Sequence, residues 1–101
     1  MPTVDYNEHP LKELEDSDYA AGYLTAALEE GGAVFLLALR DVAQAHGGMA
    51  VLAQATKLNR ENLYDMLSEA GNPRLSSVTA ILDKLGLQVS FQPKAKGIEA
   101  A

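Results

Sequence analysis

Apolar residues return at three- and four-residue steps along most of the chain, the period of a helix packed on one side. Ser17 offers an N-cap, and Tyr19, Ala20, Tyr23, Leu24, Ala27 and Leu28 form one stripe before Gly31-Gly32 breaks it. A second helix is expected over residues 33–46. Val34, Leu37, Val42 and Ala45 there sit among further apolar positions, which predicts burial on most sides. Gly47-Gly48 ends that segment. A short third helix follows over 49–56, then a tight turn at Lys57-Leu58. Asn59 is placed to cap a fourth helix over 60–70, which Gly71-Asn72-Pro73 stops, because proline disfavours helix at the residue before it. A fifth helix is expected over 75–85, with Gly86 as its left-handed stop. Leu87-Gln88-Val89-Ser90-Phe91-Gln92 alternates apolar and polar, a strand signal. A lone strand would need the N-terminal arm, a second copy of the chain or another protein as its partner. The fold class is therefore all-α, five helices with one short C-terminal β-strand. Residues 1–16, polar and without a period, are expected to form a loose arm before a domain at 17–92, and 93–101 a flexible tail.

The stretch 49–67 carries the functional signal. Its spacing predicts a helix-turn-helix, two short helices crossing closely. Leu52 would face Leu63, Ala53 would be small at the crossing, Leu58 would bury the turn, and Met66 and Leu67 would continue the inner face. That arrangement turns Glu61, Tyr64, Asp65 and Ser68 outward, flanked by Arg60 and Asn62. A polar helix of this kind fits a major groove, where arginine pairs with guanine, asparagine with adenine and glutamate accepts from cytosine. Amides near Gly48 and Met49 are candidates to hold a phosphate. Lys57, Asn59 and Arg74 complete the expected DNA-binding set of Gly48, Met49, Lys57, Asn59, Arg60, Glu61, Asn62, Tyr64 and Arg74. Glu61 and Asp65 repel phosphate, so binding per subunit is expected to be weak and rescued by dimerisation or a partner, with a shallow salt dependence.

The strings Tyr23 to Glu30, Leu37 to Ala43, Leu52-Ala53, Leu58 to Tyr64, Gly71 to Pro73 and Leu85 to Leu87 closely resemble the bacterial and phage addiction-module antidote family over about residues 17–92. Members of that family carry a Cro/repressor-like (XRE-type) helix-turn-helix. The resemblance implies a lambda-repressor-like domain and an antitoxin encoded beside a RelE/HigB-like mRNA-cleaving toxin. Such a protein neutralises the toxin by binding it and represses their shared operon. It also places Asn59, Arg60, Glu61, Asn62 and Tyr64 on the family's recognition-helix motif. Two positions depart from the family pattern: Lys57 stands where the turn usually has glycine, and Asp65 where a basic residue is common. The rival readings are a stand-alone phage-type repressor and a toxin-binding module that has lost DNA affinity.

Charge sharpens this picture. The chain of 101 residues has a formal charge of −6. Residues 1–31 hold eight acids and one base, whereas residues 32–101 hold six acids and seven bases. An acidic run is commonly no more than a solvated surface. Here it also complements a ribonuclease, which should be basic in order to bind RNA, so Asp5, Glu8, Glu13, Glu15, Asp16 and Asp18 are the candidate toxin-binding residues.

No enzyme is expected. There is no cysteine, and the two histidines, His9 and His46, lie on different segments without a spaced carboxylate pair, so neither a metal nor another cofactor is implied. His46 reads as a residue that meets the last carbonyls of its helix. Tyr6, Tyr19 and Tyr23 read as packing residues. The longest apolar run, 33–39, is too short to span a bilayer, and residues 1–5 lack a signal-peptide pattern. The expected partners are thus operator DNA, a toxin and a second copy of the chain, in the cytoplasm and without a membrane.

Overall fold

The computed structural model describes residues 12–94. Five helices lie wholly within that range: α1 (Ser17–Glu30), α2 (Gly32–Ala45), α3 (Met49–Thr56), α4 (Arg60–Met66) and α5 (Leu75–Lys84). Asp5 and Glu8, with most of the expected arm and tail, lie outside the described residues.

The chain enters through a helical turn in which the Glu15 and Asp16 amides donate to the carbonyls of Lys12 and Glu13. This turn drives Leu14 into the core with no exposed surface. The part of the expected arm that is described is therefore anchored. Asp16, one residue before the expected cap, receives the Asp18 amide on its carboxylate at 3.1 Å and starts α1. An anion suits a helix N-terminus, where amides lack partners and the dipole is positive.

Gly31 alone separates α1 from α2, at φ +136°. The two helices pack along one another, and the Tyr23 hydroxyl donates to Asp41 Oδ2 at 2.7 Å between them. Ala20, Leu24 and Ala27 of α1 and Leu36, Ala38, Leu39, Val42 and Ala43 of α2 are buried. Gly47 and Gly48, both at positive φ, turn the chain into α3. This short helix touches α2, α4 and α5 and supplies Met49 and Leu52 to the core. Leu63, Leu67 and Ile81, none of them exposed, close that end.

The fourth helix stops at Met66, four residues before the end its sequence predicts. The Ser68 hydroxyl donates back to the Asp65 carbonyl at 2.8 Å, and the Gly71 amide donates to the Ser68 carbonyl at 2.9 Å. The chain folds so tightly that a Cβ at Gly71 would stand 2.1 Å from the Met66 carbonyl oxygen. Glycine is needed here for close approach of backbone to backbone.

Helix α5 ends as expected. Gly86 is left-handed at φ +81°, and the Leu87 amide donates to the Leu82 carbonyl at 2.8 Å. The strand expected over 87–92 is not formed: the described residues contain no strand, and Val89 and Phe91 are exposed. The alternation is present, but a strand exists only through its ladder, and no second segment among the described residues supplies one.

Candidate functional site

The turn between α3 and α4 is built by its own side chains. The Thr56 hydroxyl donates to the Leu52 carbonyl at 2.8 Å and accepts the Leu58 amide at 3.3 Å, while Leu58 leans on the core. Lys57 takes the left-handed conformation at φ +63°, ψ +24°, the one residue other than glycine among those described with positive φ. An L-residue there costs roughly 1–2 kcal/mol. The Asn59 side-chain oxygen then accepts the amides of Glu61 and Asn62, at 2.8 and 3.1 Å. This is an N-cap that fixes the direction in which α4 leaves the turn.

Burial of Leu52, Leu63 and Leu67 decides which face of α4 meets solvent. Arg60, Glu61, Asn62 and Asp65 are exposed, as the helical period predicts. Tyr64 is half-buried against the core, with the Arg40 guanidinium 5.1 Å from its ring centroid. That distance is within cation–π range. Arg40, on α2, thus brings a positive charge to the flank of α4. No local sequence signal marks this contact, because it joins two helices distant along the chain.

The remaining predicted residues divide. Lys57 and Asn59 are exposed on the turn, although the Asn59 oxygen is committed to its cap. Arg74 is exposed and N-caps α5 through its backbone, its carbonyl accepting from Ser77 and Val78 at 3.0 and 3.1 Å. The Gly48 amide already donates to the Ala43 carbonyl at 2.9 Å, and the Met49 side chain is 2% exposed. The Gly48 donor that the sequence offered is therefore taken, whereas burial of the Met49 side chain in the core does not bear on the Met49 amide. His46 also acts elsewhere than expected. Its ring Nε2 lies 3.0 Å from the Leu14 carbonyl, so the ring donates to the entering turn, while its backbone amide donates to the carbonyls of Val42 and Ala43.

On the acidic side, Glu13, Glu15, Asp16 and Asp18 are all exposed around the start of α1. The Glu13 carboxylate, as hydrogen-bond acceptor and as a nearby negative charge, raises the pKa of Tyr19 above its usual value of 10.0. The arrangement can therefore present a short polar helix flanked by cations at one place and an anionic surface at another. Among the described residues no group of three or more histidine, cysteine or acidic side chains is placed to hold a metal. No helix among them is long and apolar enough to cross a membrane.

Comparison with known proteins gives this geometry a family. No solved structure matches the chain. An uncharacterized protein of Haemophilus influenzae is 37% identical over 71 residues, which cover 69% of this chain and 72% of that protein. A family model described as "probable addiction module antidote protein" matches residues 6–93, most of the chain. The chain belongs to that family of addiction-module antidote proteins, a membership that implies a toxin as its partner.

Proposed function

We propose that the chain is the antitoxin of a type II toxin–antitoxin module, acting in the cytoplasm. It neutralises a RelE/HigB-like mRNA-cleaving toxin and represses its own operon as a two-fold dimer with an XRE-type, lambda-repressor-like helix-turn-helix. The observation that carries the DNA half is the orientation of α4. Leu63 and Leu67 lock its inner face, and Arg60, Asn62 and Glu61 stand out from its first turn. Side chains so placed reach base edges in a major groove, and Lys57, Arg74 and Arg40 supply phosphate contacts. The toxin half rests on the family and on the exposed acids at Glu13, Glu15, Asp16 and Asp18, which attract a basic RNA-binding surface.

A shift assay on the DNA upstream of the gene tests the first half. A specific complex that weakens with salt is expected, and Arg60→Ala should reduce its affinity by about 5- to 150-fold, the worth of one bidentate base contact. Co-expression with the product of the adjacent gene tests the second half. A stable complex should form, and its association rate should drop when Glu13, Glu15, Asp16 and Asp18 are neutralised together.

One observation favours a second reading. Glu61 and Asp65 are exposed on the same helix as Arg60 and leave α4 with a net negative face. The domain would then be a toxin-binding module without DNA affinity. Absence of any salt-sensitive complex, with toxin binding intact, selects that reading.

A further inference from the structure

A cleft of about 510 Å³ opens between α1, α5 and the chain that follows α5. Leu24 and Leu28 of α1, Leu75 and Val78 of α5, Phe35 and Leu87 form its apolar walls, and no charged residue lines it. Its rim is open to solvent: Leu28 is 57% exposed and Leu75 74%. Val89 also lines it, whereas Phe91, two residues on, does not and is 94% exposed. An apolar rim of this kind marks an interaction site.

We infer that a second copy of this chain fills the cleft reciprocally about a two-fold axis, each copy placing Phe91, the one side chain of its 87–92 segment that does not line its own cleft, into the cleft of the other. Three observations select this occupant. The first is charge. The chain carries −6, so two copies repel wherever their carboxylates face each other; the walls of the cleft hold no carboxylate, so like-charged copies meet there with less of that penalty, although Glu29 and Glu30 stand exposed beyond the Leu28 rim. A basic toxin is drawn instead to the acids at the start of α1. The second is self-complementarity. A two-fold interface needs socket and plug on the same chain, and Phe91 stands beside the cleft that its own side chain leaves open. The third is the backbone. Residues 88–94 make no backbone–backbone hydrogen bond among the described residues, and 87–92 alternates apolar and polar. The matching segment of a second copy is a natural partner for such an edge.

This inference deepens the reading above, because a two-fold reader of operator DNA must be a dimer, but its test needs neither DNA nor toxin. The full chain is examined by light scattering and sedimentation from low to high micromolar concentration. A dimer is expected. Phe91→Asp should raise its dissociation constant at least about tenfold, the loss typical of an aromatic anchor at an interface centre. Leu28→Asp should do the same. Both side chains are exposed in one copy, so the helical circular dichroism of each variant should match the wild type. Val51→Asp alters an exposed apolar residue of α3 outside the cleft and should leave the dimer intact. In a mixed-labelled sample, the Phe91 ring should show intermolecular NOEs to the methyls of Leu28 and Leu75.

A monomeric wild type overturns the inference. So does a dimer indifferent to both Phe91→Asp and Leu28→Asp, and so does a cleft whose signals move only when toxin is added. A dimer that obeys these substitutions but binds no promoter leaves this interface standing and removes the DNA reading. A monomer that still shifts the promoter does the opposite.

Discussion

Replacing Gly71 by alanine puts the placement of α4 to a direct test. The added Cβ would lie 2.1 Å from the Met66 carbonyl oxygen, 2.8 Å from the Met66 carbonyl carbon and 2.9 Å from the Asp65 carbonyl oxygen. All three atoms are backbone, so no side-chain rotation relieves the overlap. The turn must open, which stretches the 2.9 Å bond from the Gly71 amide to the Ser68 carbonyl. Forcing a methyl into filled space costs about 1–3 kcal/mol. Weakening the hydrogen bond adds up to about 1 kcal/mol. Loss of glycine's freedom in the unfolded chain returns about 0.4–1 kcal/mol. The expected net loss is thus about 2 kcal/mol, or roughly 8–16 °C in Tm for a domain of this size. Gly22→Ala is the matched control. That glycine lies inside α1, and a Cβ there meets nothing within 4 Å, so alanine should stabilise the protein by about 0.5–1 kcal/mol. Urea unfolding followed by far-ultraviolet circular dichroism reads both variants. A Gly71→Ala protein as stable as the wild type, or one that gains as Gly22→Ala does, would show that the chain does not double back on Met66, and the account of where α4 ends would fall.

Three smaller perturbations probe other joints. Leu14→Ala empties a fully buried site and should cost about 2–4 kcal/mol in urea unfolding, whereas a loss under about 0.5 kcal/mol would mean that the entering turn is not part of the core. Lys57→Gly removes a side chain from a left-handed position and should raise stability by about 0.5 kcal/mol, the relieved strain outweighing the entropy glycine loses on folding; a fall in the urea midpoint would argue that Lys57 does not hold that angle. The Tyr19 phenol should titrate above 10.0 by ultraviolet absorbance, and Glu13→Gln should move it back down. Because the folded-state value is raised, the contribution of this pair is fully present below pH 10 and is lost as pH rises through the folded-state value, so Glu13→Gln should change stability at neutral pH and lose its effect at strongly alkaline pH.

What the sequence discloses follows from how local each cause is. Leu52, Leu63 and Leu67 were legible as the inner face of α3 and α4 because helical periodicity alone places them there. Asn59 and Gly86 were legible because a cap and a left-handed stop are decided within a few residues. Leu14 was not: one leucine amid acids has no period, and only the long-range bond between His46 and its carbonyl marks the turn that buries it. The early end of α4 was half legible. Gly71 announces a stop, but the break comes at Leu67, with the Ser68 hydroxyl turned back onto Asp65. The segment 87–92 shows the reverse failure. Its alternation is real, yet pairing is a property of two segments, and reading one of them overstated the strand. Tyr64 was placed outward by the helical wheel, whereas the structure tucks it half under the Arg40 guanidinium, a neighbour that no wheel can supply.

The distribution of charge makes one acidic chain compatible with three partners of different chemistry. A net charge of −6 spread evenly would oppose DNA everywhere and would oppose a second copy as well. Here the excess lies in residues 1–31, whose described acids are exposed at both ends of α1, Glu13, Glu15, Asp16 and Asp18 at its start and Glu29 and Glu30 at its end, whereas the rest of the chain is close to neutral. Screening confines each surface to its own neighbourhood, since the Debye length is about 8 Å at physiological salt and the domain extends 45 Å along its longest axis. A basic toxin surface at the start of α1 and a phosphate backbone at α4 would therefore feel opposite local fields on the same molecule. On this view, at an ionic strength low enough for the Debye length to reach about 30 Å, a toxin docked on the acids removes negative charge that there opposes DNA. The antitoxin–toxin complex should then bind the operator more tightly than the antitoxin alone, with no new contact to the DNA required.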